Sequence, residues 1–250
     1  MNLLKKIVSI LILSFCFGFA EHVVAFEQMN TYIVADGLVG PIVPVIFQDS
    51  RGVLWFGSDR GGVSRFDGNT FDPYSGDSEA FRGRTIQIVE DKWGHIWFLS
   101  KHPAEGTGIV SRYKRNTSED QKESEFEYIS DGTCLAVDNE GDIWVGGNNT
   151  VTRYTAISSQ DPPQPFQLSI AGASVAKVNV IFQSRDGTIW IGGNDAQGAL
   201  IMRFQGDVNV WQTANLQRLD NLPKLPKDRA IQVIVQDLSL IHISEPTRPY

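Results

Sequence analysis

Short apolar runs, set off by turn residues, recur along this chain. In VIFQDSRGVLWFGSDRGGVSRFDGNTFDPYS, which starts at Val45, VIFQD and VLWFG are β-rich runs separated by SRG, whose glycine is free to take positive φ. DRGG forms a second turn, VSRFDG a third strand and NTFDPYS a fourth. Helical periodicity is hard to find beyond the first 25 residues.

The pattern then repeats. It returns as IQIVEDKWGHIWFLSK from Ile86, CLAVDNEGDIWVGGNNTVTRY from Cys134 and VIFQSRDGTIWIGGNDAQGALIMRF from Val180. Three copies carry Asp-x-x-Gly-x-x-Trp: Asp49/Gly52/Trp55, Asp91/Gly94/Trp97 and Asp138/Gly141/Trp144. The fourth keeps Gly187 and Trp190 but has Ser184 at the acidic position, and the tryptophans are 42, 47 and 46 residues apart. Four short antiparallel strands in about 45 residues make one propeller blade. The fold class expected is therefore all-β: an incomplete β-propeller of about four four-stranded blades plus one strand of a fifth. A solenoid of parallel strands is the rival, although its turns are normally shorter than this period.

These units resemble the two-component regulator propeller repeat. That pattern runs as an apolar strand, Asp-x-x-Gly-x-Leu-Trp-Ile-Gly-Thr, then Gly-Gly-Leu and Arg-Tyr, and here it reads QDSRGVLWFGSDRGGVSRFDG. The lead-in TYIVADGLVGPIVPVIFQD resembles the family's linker, with Asp-Gly-Leu ahead of a blade. The resemblance covers residues 30–237. Repeat two departs from it, with LSK in place of Ile-Gly-Thr and the insert HPAEGTG, which leaves that blade's third strand open.

The two ends of the chain read differently. Lys5 and Lys6 precede an uncharged apolar run over residues 7–20, and Gly18/Ala20 or Val23/Ala25 suit a signal peptidase. Residues 1–25 are therefore expected to be a signal peptide; an uncleaved anchor is the alternative. Cys16 follows Phe15, not the small residue that lipidation wants. Cleavage would leave Cys134 alone in TCLAV, a buried structural thiol without a disulfide. At the other end, residues 231–237 match the first strand of a further blade, but no Gly and Trp follow. Residues 238–250, LSLIHISEPTRPY, resemble a translated sequencing adapter, so the native propeller region is expected over 26–237 and His242 and Glu245 carry no functional weight. Residues 27–34 are expected to supply the outer strand of a closing blade. With its ring open, the fragment is expected to aggregate or stay dynamic when isolated.

A net charge of -7 with no basic stripe argues against nucleic acid. No Gly-x-Ser-x-Gly, phosphate-binding loop or His-Glu-x-x-His occurs, and His22, His95 and His102 are too scattered for zinc. DNEGD at 138–142 lacks the order of a calcium loop. Neither a catalytic residue, a metal nor a cofactor is expected. Trp55, Trp97, Trp144 and Trp190 hold one position per blade and read as packing between blades, with a sugar platform as the alternative. Gly52, Gly94, Gly141 and Gly187 read as turn glycines, and the aspartates as caps of those turns.

Four residues after each Trp stand Asp59, Lys101, Asn148 and Asn194, which the repeat places in the loop between strands two and three. In propellers that loop shares a face with the linkers between blades, at the mouth of the central channel. Arg60 is adjacent, Arg82 and Arg84 lie in the linker to blade two, and His102 sits in the insert. These form the candidate ligand-binding set, although ordinary solvated turns would use the same residue types.

What the resemblance implies is the input region of an exported bacterial sensor, anchored at the periplasmic face of the inner membrane. It would take a small molecule or glycan, and its partners would be the remaining blades, a β-sandwich and a membrane-anchored output module of the same chain, in a parent that is a homodimer. The output would be a histidine kinase, sometimes fused to a response regulator, or a diguanylate cyclase. A secreted propeller enzyme such as a polysaccharide lyase, or an adhesion scaffold, would use the same fold.

Overall fold

The computed structural model describes residues 30–75, 80–81, 83–101, 106–114, 126–169, 177–196, 198–205, 216–219, 231, 233–236 and 241–244. The expected leader, Arg82 and His102 lie outside them. The chain divides into units 1–32 and 33–250; only residues 30–32 of the first are described, and the blades belong to the second.

Each repeat folds into one antiparallel sheet whose strands neighbour each other in chain order. Blade 1 comprises β1 (Val45–Gln48), β2 (Leu54–Gly57), β3 (Gly62–Phe66) and β4 (Phe71–Ser75). Blade 2 comprises β5 (Arg84–Glu90), β6 (Ile96–Lys101), β7 (Gly108–Tyr113) and β8 (Phe126–Gly132). Blade 3 comprises β9 (Cys134–Val137), β10 (Ile143–Gly146), β11 (Thr150–Thr155) and β12 (Gln164–Ser169), and blade 4 comprises β13 (Lys177–Gln183), β14 (Ile189–Asp195), β15 (Gly198–Phe204) and β16 (Leu216–Arg218). Blade 2 thus has the third strand that its departure from the repeat left open. All these pairings are antiparallel, which removes the solenoid. After them β17 (Val233–Gln236) is the expected first strand of a fifth blade, and β18 (Ile241–Ser244) pairs with it.

The closing strand expected over 27–34 does not form in its described part. Asn30–Ile33 is irregular and Val34–Asp36 is a 3₁₀ turn. Its main-chain bonds are made locally: Ile33 N–H donates to Asp36 Oδ2 at 2.8 Å, and Gly37 ends the turn at φ 117°.

The core lies between blades. Trp55 of blade 1 packs on Ile88, Ile96 and Phe98 of blade 2. Trp97 packs on Leu135, Ile143 and Val145 of blade 3, and Trp144 on Ile181, Ile189 and Ile191 of blade 4. Trp190 packs on Ile231 and on Ile234 of the last hairpin. Trp55, Trp97 and Trp144 are each only 1% exposed, enclosed in these cores between blades. Two residues after the Trp, a glycine lets the next blade approach. A Cβ at Gly146 would stand 2.7 Å from Val178, and one at Gly57 2.9 Å from the Thr85 carbonyl. Blade 2 has Leu99 there, fully buried in the blade 2–3 core.

Candidate functional site

The two ends of the blades do different work. At one end the Asp-x-x-Gly-x-x-Trp motif builds a turn. Asp138 Oδ1 accepts from the N–H groups of Glu140 and Asp142 at 3.0 and 2.9 Å, and its Oδ2 accepts from Trp144 Nε1 at 2.8 Å. Asp49 and Asp91 make the same three bonds in their blades. The glycines at positions 52, 94, 141 and 187 have φ between 76° and 84°, a region open to glycine at little cost. Where Ser184 replaces the aspartate, its Oγ takes the indole at 3.2 Å and Asp186 Oδ1 takes the Thr188 N–H. The turn role is as expected; the bond from carboxylate to indole was not foreseen.

An arginine opposite each Trp was also missed. Arg65, Arg112, Arg153 and Arg203 are the register partners of the four tryptophans. Arg112 and Arg153 are buried, with their guanidinium carbons 5.8 and 5.9 Å from the indole centroids. Arg153 pairs with Asp138 at 3.3 Å and with Glu140 and Asp142 at 2.7 Å. The signal was present as Arg-Phe or Arg-Tyr in every copy, but only strand register reveals what it faces. His95 belongs to this end too. Its Nε2 donates to the Ser159 carbonyl at 2.8 Å, fastening blade 2 to the loop after β11. Burial holds its pKa below the ordinary value; Asp91 and the Ser159 carbonyl oppose that, while Arg112 and Lys114 add to it.

The other end carries the candidate ligand residues. Here the β2–β3 type of turn meets the linkers, as expected: Asp59 N–H donates to the Ile42 carbonyl and Thr85 N–H to the Ser58 carbonyl. The positions differ from the sequence expectation in two blades. Lys101 ends β6 and Asn194 lies within β14, so neither is in a loop. In blade 4 the ladder continues to Asp195↔Gly198, so a short hairpin absorbs the position. Asn148 forms an isolated bridge with Lys177, and Asp59 alone sits in an ordinary turn.

Contacts link these residues from blade to blade. Arg84 is the register partner of Lys101, and Lys101 Nζ donates to the Thr133 carbonyl in blade 3. Thr133 Oγ1 donates to the Val178 carbonyl in blade 4. Lys177 pairs in register with Asn194, whose Oδ1 accepts from Asn179 Nδ2 at 3.2 Å. Finally Ile231 N–H donates to the Gly193 carbonyl. The structure therefore gathers Arg84, Lys101, Asn148 and Asn194 into one rim. It adds Thr133, Lys177 and Asn179, which the sequence did not single out because they precede or open first strands. Asp59 and Arg60 stand at the blade 1 end of the rim, where Asp59 Oδ1 is enclosed without a hydrogen-bond partner. Burial lowers the Lys101 pKa; the neighbouring Lys177 adds to this and Cys134 opposes it. The Cys134 thiol, free and buried, is pushed up to about 12, which suits the structural role expected of it. Among the described residues no group of His, Cys, Asp and Glu is placed to hold a metal.

Comparison with known proteins bears on the repeat first. Residues 37–60, the lead-in and first two strands of blade 1, match the family described as Two component regulator propeller. The chain carries a two-component regulator propeller repeat. Two solved structures of the extracellular domain of BT4673 from B. thetaiotaomicron share the fold. One, described as a one component system, has a TM-score of 0.57 at 17% identity, over 88% of this chain and 27% of that one. The other, described as a hybrid two component system, has a TM-score of 0.52 at 18% identity, over 77% and 24%. This chain thus spans about a quarter of the length of those domains. A search of the curated proteins finds no match.

Proposed function

We propose that this propeller is the ligand-sensing input of an exported bacterial receptor, and that the rim from Asp59 through Arg84, Lys101, Asn148 and Asn194 is its recognition face. The observation that carries the reading is the continuity of the rim: polar groups from every blade are tied to the next blade at one end of the strands. A ligand spanning two blades there would change how they sit, and it would signal only by binding one arrangement better than another. The likeness to extracellular domains of one and two component systems supports the reading of an exported input. The output proposed is a histidine kinase carried by the same parent chain, with a diguanylate cyclase as the variant, and the parent a homodimer. This region itself is proposed to bind without catalysing.

The test is binding of neutral, carboxylated and sulfated disaccharides to the full chain, followed by intrinsic tryptophan fluorescence and amide chemical shifts. The reading predicts saturable binding that Asn194→Ala or Asp59→Ala weakens while Glu90→Gln, at the opposite end of the blades, leaves it unchanged. Turnover of a bound sugar, or binding indifferent to every rim substitution, would contradict it.

A further inference from the structure

The rim carries three cations, Arg84, Lys101 and Lys177, besides the carboxylates of Asp59 and Asp195. Arg84 and Lys101 are directly opposite partners on β5 and β6, so their side chains leave one face of the sheet with Cβ atoms about 5 Å apart. Lys177, from blade 4, lies close enough to Lys101 to depress its pKa. Four cations elsewhere are matched: Arg65 with Asp72, Lys92 with Asp142, Arg112 with Glu127, and Arg153 with three carboxylates. Among the described residues no ion pair reaches Arg84, Lys101 or Lys177. Like charges opposite one another in a ladder destabilise it. In a chain of net charge -7, three cations at one rim are a local concentration of the opposite sign.

We propose that Arg84, Lys101 and Lys177 bind an anionic group of the ligand, a carboxylate or sulfate ester, with the amides of Asn148 and Asn194 orienting it. This rests on the rim being the recognition face and names the chemistry it recognises. Arg84 is exposed at the start of β5 and offers the planar fork that grips two oxygens of one group. Lys101 is half-buried with one donor spent on the Thr133 carbonyl, which fixes its ammonium and leaves further N–H groups for an anion. Lys177 reaches the same place from the other side of blade 3, and its neighbours Asn148 and Asn194 add amide donors. A neutral sugar would leave the three charges unanswered, so the site discriminates by charge.

The probe is inorganic sulfate, and the readout is lysine acylation of the full chain mapped by mass spectrometry, at ionic strength held constant with sodium chloride. Sulfate is expected to slow acylation of Lys101 and Lys177 saturably and to leave ion-paired Lys92 unchanged. Arg84→Gln should weaken the sulfate affinity by about tenfold or more, the worth of one charge-assisted hydrogen bond. Lys177→Met should abolish protection of Lys101, and Lys177→Arg, which keeps the charge, should retain it. Equal protection of Lys92, or protection that survives both Arg84→Gln and Lys177→Met, would overturn the site. A uronate-terminated and an O-sulfated disaccharide, each against its neutral parent, tell the carboxylate source from the sulfate. Binding of the neutral parent, lost in Asn194→Ala and with no sulfate effect on either lysine, would overturn the anion site and leave the recognition face standing. No saturable binding of any of the three sugars would remove both.

Discussion

Asp138 answers four partners at once: two backbone N–H groups, the Trp144 indole and the Arg153 guanidinium. Asp138→Ala removes three hydrogen bonds to a carboxylate while Arg153 keeps Glu140 and Asp142, so it is expected to cost about 1.5–3 kcal/mol of local stability. Ser184→Ala in blade 4 removes the indole bond and the hydroxyl's bond to the exposed Asp186 carboxylate, and should cost about 1 kcal/mol. Hydrogen exchange of the blade 3 and blade 4 strands checks the ranking, and equal losses would contradict it. His95 sets a pH dependence. Its folded pKa is depressed, so the stability it contributes is present above the unfolded value of about 6.5 and is lost as pH falls toward the folded one. Proteolysis within residues 156–163 should therefore accelerate on acidification below about pH 6.5. In His95→Gln, which keeps a donor for the Ser159 carbonyl, that pH dependence should disappear. Much of this scale was legible: a fixed Asp-Gly-Trp spacing announces a capped turn before a strand. The indole bond and the arginine under each Trp were not, because both depend on how far strands two and three slide past each other.

Element by element, the first strands show what a blade needs. The residue three before the motif's acidic position is Ile46, Ile88, Leu135, Ile181 or Ile234. It is 5% exposed or less in the last four and 61% exposed in blade 1, where no other described blade covers it. Residues of one aliphatic kind in one register thus divide by neighbour. Ile181→Ala is expected to cost about 2–5 kcal/mol and Ile46→Ala less than about 0.5 kcal/mol, as measured by the denaturant dependence of proteolysis in each blade. Similar costs at the two positions would mean that burial between blades is not what holds the sheets. Sequence periodicity gave the strands and their order. It did not give the ends of β6 and β14, where Lys101 and Asn194 join ladders that the repeat would have left as loops.

At the scale of the molecule, Ile46 leaves blade 1 with a face that, among the described residues, lacks the preceding blade's Trp that fills it elsewhere. Propellers avoid this by closing their rings, and exposed strand edges and apolar faces invite pairing between chains. The chain is therefore expected to self-associate as its concentration rises, and Ile46→Lys should reduce that in sedimentation while leaving blade 3 exchange unchanged. Purified residues 26–237 should fail to give a sharp, reversible melt. The central proposal is that these blades belong to a longer receptor and that residues 238–250 are foreign to it. The most direct test is the source DNA read across the codons for Gln236 to Leu238 and on to the natural stop. The account predicts Asp237 followed by x-x-Gly-x-x-Trp, further blades, a spanning helix and a kinase or cyclase module. A genomic LSLIHISEPTRPY followed by a stop codon would contradict it.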